Sequence, residues 1–352
     1  MTPLIAHRLW WRGRRVLLTG HTGFKGAWAA RWLTRLGAEV TGISLPPPSR
    51  PSLHDLVATP IRASIILDIR DGAGLAAAVA VCRPQVVLHL AAQALVPEGY
   101  RDPVGTFSSN VMGTINLLEA VRASKGVEAV LVATTDKVYA NDESRQMFAE
   151  GDRLGGDDPY SASKAGTELA VHSYRKSFFQ GGPPLATARA GNVIGGGDFA
   201  AKRLIPDIVR AASAGEPLSL RRPDATRPWQ HVLDLINGYL IYAEALATGR
   251  SVPSALNFGP LDPSPLSVRE ITDAFVGDLG APGWHHTPEP CILEKCNLVL
   301  DPSLAIASLR WRPQLDRHAM LAWTSAWYKA WAAGADVAAL TDDQIESFEA
   351  ME

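Results

Sequence analysis

The chain has 352 residues, of which 47 % are hydrophobic and 20 % charged, enough apolar material for one large α/β domain with a smaller lobe. A formal net charge of −2 excludes a global field for nucleic acid or an acidic membrane surface, so any anion must be held by a local arrangement of groups. Cys82, Cys291 and Cys296 form neither a disulfide framework nor a metal-ligand spacing, which favours a reduced, cytoplasmic setting with no metal.

The opening segment MTPLIAHRLWWRGRR has an apolar part too short and interrupted for a signal sequence or a membrane span, and reads as an extension into the first strand. Strands are predicted at Arg15 to Thr19, Glu39 to Ile43, Ser64 to Leu67, Gln85 to Leu90, Ala129 to Ala133 and Leu185 to Arg189. Between them, helical spacing covers Phe24 to Leu36, Gly72 to Val81, Pro103 to Ser124 and Pro159 to Phe179. That alternation predicts an α/β fold with a doubly wound parallel sheet and right-handed crossovers. After about Gly191 the rhythm breaks. Leu204 to Ala214 reads as a helix, while Asp234 to Leu246 and Ala255 to Phe258 read as a helix and strand returning to the main sheet. The organisation expected is therefore a dinucleotide-binding domain over 1–190 with returns near 232–260, and a C-terminal lobe, 191–352, that mainly binds substrate.

Gly20, Gly23 and Gly26 follow the first strand and open the first helix. Glycines there allow a tight turn, close approach of backbone to a pyrophosphate and close helix–strand packing. The helix N-terminus adds free N–H groups and the positive end of its dipole. The G-x-x-G-x-x-G spacing points to the short-chain dehydrogenase class. Asp68, after the third strand, is a candidate for the adenine amino group or, more plainly, a loop acid. The second strand runs into Ser44-Leu45-Pro46-Pro47-Pro48 with no carboxylate for a ribose hydroxyl and with Arg50 nearby, which leaves NAD and NADP both open.

Tyr160 and Lys164 stand one helical turn apart on one face. A phenol of ordinary pKa about 10 is a poor base at neutral pH. A nearby ammonium favours the phenolate, which can then take a hydroxyl proton as hydride leaves the same carbon. Thr134-Thr135-Asp136-Lys137 follows an apolar strand, at the end where open α/β sheets bind ligands. Redox chemistry needs only Thr135, Tyr160 and Lys164. Asp136 and Lys137 add an acid–base pair of the kind an elimination of water requires.

Six segments together resemble the extended short-chain dehydrogenase/reductase family, and within it the CDP-glucose 4,6-dehydratases: LLTGHTGFKGAW (17–28), HLAAQALV (89–96), TTDKVY (134–139), GGDDPYSASK (155–164), RAGNVIGGGDFAAKRLIPDI (189–208) and RPWQHVLD (227–234). T-D-K, where other sugar nucleotide dehydratases have T-D-E, discriminates best. The resemblance implies a Rossmann sheet, a nucleotide-sugar substrate, a bound nicotinamide cofactor that ends unchanged, and a homodimer. It implies cofactor contacts at Gly20, Thr22, Gly23, Phe24, Lys25, Gly26, Asp68, Ile69 and Ala91, together with Tyr160 and Lys164. Substrate contacts are implied at Gln93, Asn192, Arg203, Leu204 and Arg227. Tyr160 and Thr135 would act at the sugar 4-hydroxyl, Asp136 at the departing 6-hydroxyl and Lys137 at the C5 proton. Pro97 and Gly99 depart from the family's usual arginine and small hydroxyl residue. The alternative on the same scaffold is a 4-epimerase or reductase, but such enzymes carry small residues at the positions of Asp136 and Lys137.

Overall fold

The computed structural model describes residues 4–144, 147–262, 266–287, 295 and 297–351. Cys291 and Cys296 lie outside these residues, and Cys82 is a free thiol. Seven parallel strands make the central sheet: β1 (Arg15–Thr19), β2 (Glu39–Ser44), β3 (Ala63–Ile66), β4 (Val86–His89), β5 (Ala129–Ala133), β6 (Leu185–Ala190) and β7 (Ala255–Phe258). Their spatial order is β7-β6-β5-β4-β1-β2-β3. The chain therefore reverses direction across the sheet between β1 and β4, and a crevice opens at their carboxyl ends.

Successive side chains of a strand point to opposite faces, and both faces here are covered. Val16 and Leu18 of β1 join a core with Val86, Leu88 and Leu131, while Leu17 joins Val87, Val130 and Val132 on the other side. This is why the strands read as unbroken apolar runs. The helices are α1 (Phe24–Arg35), α2 (Gly72–Cys82), α3 (Gly113–Arg122), α4 (Pro159–Ser177), α5 (Leu204–Ala214), α6 (Val232–Ala247), α7 (Val268–Leu279), α8 (Arg317–Ala332) and α9 (Val337–Glu349), among shorter turns. Residues of α1, α6, α8 and α9 fill the first core, and residues of α2, α3 and α4 the second.

The helix expected over Pro103 to Ser124 is interrupted. Ser108–Met112 forms a π-turn between Pro103–Phe107 and α3. Its cause is the buried Asn110, whose side chain bonds both backbone groups of Gln93 and the Ser163 hydroxyl, and whose carbonyl accepts from Thr114 and Thr167. A π-turn releases a carbonyl for such use.

The expected return to the sheet is present. β7 pairs with β6 at the edge, and α6, buried along nearly its whole length, packs beneath β5. Between β6 and α6, and again after β7, short two- and three-residue strands build a smaller region: Val193–Ile194 with Gln230–His231, Thr226–Arg227 with Leu266–Ser267, and Leu218–Leu220 with Trp284–His286. The last helix returns to the first: Arg31 pairs with Asp342 at 2.5 Å and Trp32 donates to Glu349. Among the described residues no helix is long and apolar enough to cross a membrane.

Candidate active site

The glycine turn meets the steric demands read from the sequence. Gly20 has φ +80, and a Cβ there would lie 2.8 Å from the Ala91 backbone nitrogen, so β1 and the segment after β4 touch backbone to backbone. A Cβ on Gly26 would sit 1.9 Å from the Gly20 carbonyl oxygen. Gly23 is the N-cap of α1 and supplies no side-chain cap, so the first N–H groups of that helix are left for an anion. These features fit a dinucleotide pyrophosphate.

Thr22 and Ile69 contribute differently. Thr22 turns inward, bonding Ser44 and the Leu45 carbonyl, and Ile69 packs beneath Gly113. Asp68 is ion-paired with Arg70 at 2.6 Å, and that hydrogen bond holds its carboxyl below the usual range.

Beside the turn lies a cleft of about 310 Å³. It brings together Phe24, Lys25, Thr135, Asp136, Lys137 and Tyr160 with Asn192, Arg203, Leu204 and Arg227. Gln93 is not among its lining residues: its amide bonds Thr106 and the Leu95 nitrogen, which shapes the loop whose Leu95, Val96 and Pro97 do line the cleft.

Thr135 caps the short turn Asp136–Val138 at the end of β5. The Asp136 carboxylate is fully buried; one oxygen accepts from Thr135 at 2.9 Å and from Lys137 Nζ at 3.3 Å. Its other oxygen has no partner, although it is buried. A buried carboxyl oxygen without a partner is costly unless a ligand completes it.

Tyr160 and Lys164 project from the first turns of α4, which Asp158 caps through the Ser161 nitrogen. Burial pushes the Tyr160 phenol up, opposed first by a hydrogen bond to Thr135 and then by the charge of Lys137. Lys164 donates to the Ala133 carbonyl at 3.0 Å. Burial, then the nearby Lys25, brings Lys164 down to about 7, with Glu168 opposing. Lys25 itself falls to about 8, through burial and then the positive charge of Arg203. Among the described residues no group of three or more His, Cys, Asp or Glu is placed to hold a metal ion.

The cleft also contains cleft-lining charges that the motifs did not single out. Asp198 binds Arg203 at 2.9 Å, and Lys202, Asp207, Arg221 and Arg222 join the same wall. Arg221 and Arg222, a basic pair within seven residues of Arg227, were the available sequence signal. Nothing in local periodicity marks Asp198.

Residues 16–259 match the NAD dependent epimerase/dehydratase family. The CDP-glucose 4,6-dehydratase of Salmonella typhimurium is 42 % identical over 96 % of this chain and 97 % of its own. Among solved structures, the dTDP-glucose 4,6-dehydratase DesIV from Streptomyces venezuelae, with NAD bound, superposes with a TM-score of 0.78 at 27 % identity, covering 90 % of this chain and 97 % of its own. The UDP-glucose 4-epimerase of Thermus thermophilus, also with NAD, gives 0.77 at 27 % identity over 90 % of this chain and 99 % of its own. With its glycine turn, its Tyr160–Lys164 helix and this match, the chain belongs to the NAD-dependent epimerase/dehydratase family, the extended short-chain dehydrogenases.

Proposed function

We propose that the protein is a sugar nucleotide 4,6-dehydratase that converts CDP-glucose to CDP-4-dehydro-6-deoxyglucose and water, with NAD as resident cofactor. The observation that carries this reading is the buried Asp136, its free oxygen and Lys137 in the same cleft as Thr135 and Tyr160. An epimerase or simple reductase has no use for that added acid–base pair. The near full-length likeness to a CDP-glucose dehydratase supports the base and sugar.

Gly20, Gly23 and Gly26 with the N–H groups of α1 would hold the pyrophosphate, and Lys164 the nicotinamide ribose. When bound, the nicotinamide would supply reversible hydride chemistry for sugar C4 and C6. Tyr160 takes the proton of the 4-hydroxyl, and Thr135 bonds that oxygen. The 4-ketone makes the C5 proton acidic. Lys137 assists its removal, while Asp136 protonates the departing 6-hydroxyl so that water leaves. Arg227 and Asn192, which line the cleft, would bind the diphosphate, where a guanidinium can bind two oxygens.

Incubation with CDP-glucose and NMR of the product should show a 6-methyl, 4-keto sugar, with deuterium at C5 when the solvent is heavy water. A C4-epimerised product with protium kept at C5 would replace this reading with the epimerase one. The three-cysteine sequence supports a cytoplasmic enzyme. For subunit number we propose a homodimer: Val104, Phe107, Met112 and Leu169 leave apolar surface exposed on the Pro103–Arg122 and α4 helices. Leu169→Asp with Val104→Asp should sediment as a monomer; an unaltered sedimentation coefficient removes that interface.

A further inference from the structure

Directly behind the Thr135–Asp136–Lys137 turn lies a buried ion pair that the reaction itself does not use. Glu168, on α4 one turn beyond Lys164, meets Arg189 of β6; both side chains are almost wholly buried. The contact is two-pronged, Nε to one carboxylate oxygen at 3.0 Å and Nη2 to the other at 2.9 Å. Each carboxylate oxygen also accepts one hydroxyl, from Thr134 at 2.5 Å and from Thr187 at 2.8 Å. The remaining guanidinium nitrogen donates to the Tyr139 phenol at 2.9 Å, and that phenol donates to Asn257 of β7 at 2.6 Å.

The pair thus grips the catalytic turn from both sides. Thr134 immediately precedes Thr135, and Tyr139 lies two residues after Lys137. A third tie, Lys164 to the Ala133 carbonyl, anchors the same strand end to α4. A buried pair with every donor and acceptor satisfied is rigid, whereas one missing partner leaves a costly charge. Two halves of one site sit on these two elements: Tyr160 and Lys164 on α4, Asp136 and Lys137 on the turn.

We propose that the Glu168–Arg189 pair, acting through Thr134 and Tyr139, is a positioning device that holds the elimination residues in register with the redox residues. The proposal rests on the dehydratase reading and adds the residues that keep its two steps coupled. Loss of one tie lets the turn shift against α4. Hydride transfer at C4 keeps Tyr160 and Lys164 on α4 and loses only the Thr135 contact, while proton transfer at C5 and the 6-hydroxyl, both carried by the turn, slows more, since misplacement by about 1 Å costs on the order of a hundredfold.

The test uses Thr134→Val, which removes one hydroxyl at constant shape, Tyr139→Phe, and Thr134→Ser, which restores the hydroxyl. With full-length enzyme and CDP-glucose, the Val and Phe variants should lose about ten- to a hundredfold in kcat at unchanged KM. They should also accumulate reduced nicotinamide, seen by its near-ultraviolet absorbance, because oxidation outruns elimination. Thr134→Ser should behave as wild type. The positioning role is overturned if kcat is unchanged in both variants, or if activity falls only with the folded fraction, measured by thermal melting, without reduced cofactor building up. A wild type that makes no keto sugar removes the dehydratase reading itself, a result distinct from a wild type that turns over beside variants of the merely structural kind.

Discussion

At the scale of single residues, the assignment turns on which groups share a cleft. Asp136→Asn keeps shape and hydrogen bonding but cannot donate an acid proton to a leaving hydroxyl. Overall turnover should fall by about 10² to 10⁴, the range for one acid–base group. Single-turnover absorbance should still report cofactor reduction, since Tyr160 and Lys164 are intact. Tyr160→Phe should abolish both signals. Arg227→Met should weaken CDP-glucose binding by about ten- to a hundredfold, as expected for a charge-assisted contact to phosphate, and isothermal titration with CDP alone measures it. The motif residues Thr135, Asp136, Lys137 and Tyr160 were legible because chemistry restricts their types. The placement of Gln93 was not: its amide is drawn from the cleft by Thr106, thirteen residues away in sequence.

Among elements, α1 and α8 show how closely packing restricts sequence. Gly26→Ala would press a methyl group against the Gly20 carbonyl, from which its Cβ would lie 1.9 Å. We expect about 1 to 3 kcal/mol of destabilisation by urea unfolding, and weakened NAD binding, as α1 is pushed off the turn. Gly196→Ala should be similarly disruptive, because its Cβ would fall 1.9 Å from the ring of Trp327 on α8. The seven strands of the central sheet and helices α1, α2, α4, α5 and α6 were readable to within a residue or two from apolar runs and helical spacing, whereas α7, α8, α9 and the short strands of the smaller region were not read. The π-turn at Ser108–Met112 was not, since its cause is the long-range demand of Gln93, Ser163 and Thr167 on Asn110.

Across the whole molecule, α6 ties the sheet to the C-terminal segment through Asp234. This carboxyl is buried and accepts from the backbone nitrogens of Gln314 at 2.6 Å and Leu315 at 3.4 Å. Burial raises it to about 7, against those two hydrogen bonds. Because the folded-state value lies above the unfolded one of about 3.9, the native state binds the extra proton. The associated stability is fully present below about pH 4 and is lost as pH rises through about 7. Thermal melting should therefore show a decline between about pH 4 and 7 that Asp234→Asn flattens. An identical pH profile in the variant would remove Asp234 as its source.

What the sequence determined by itself was the local and the chemical: where strands and helices run, which glycines must lack a side chain, and which residue types carry acid–base work. Those follow from periodicity, sterics and proton chemistry, each expressed within a few neighbouring residues. Only the tertiary structure decided what faces what. It left one oxygen of Asp136 without a partner, turned Gln93 away from the cleft, folded the last helix onto the first, and set Glu168 and Arg189 behind the catalytic turn. Such pairings join residues far apart in the chain, so they depend on how the sheet and helices stack, which no stretch of neighbouring residues encodes.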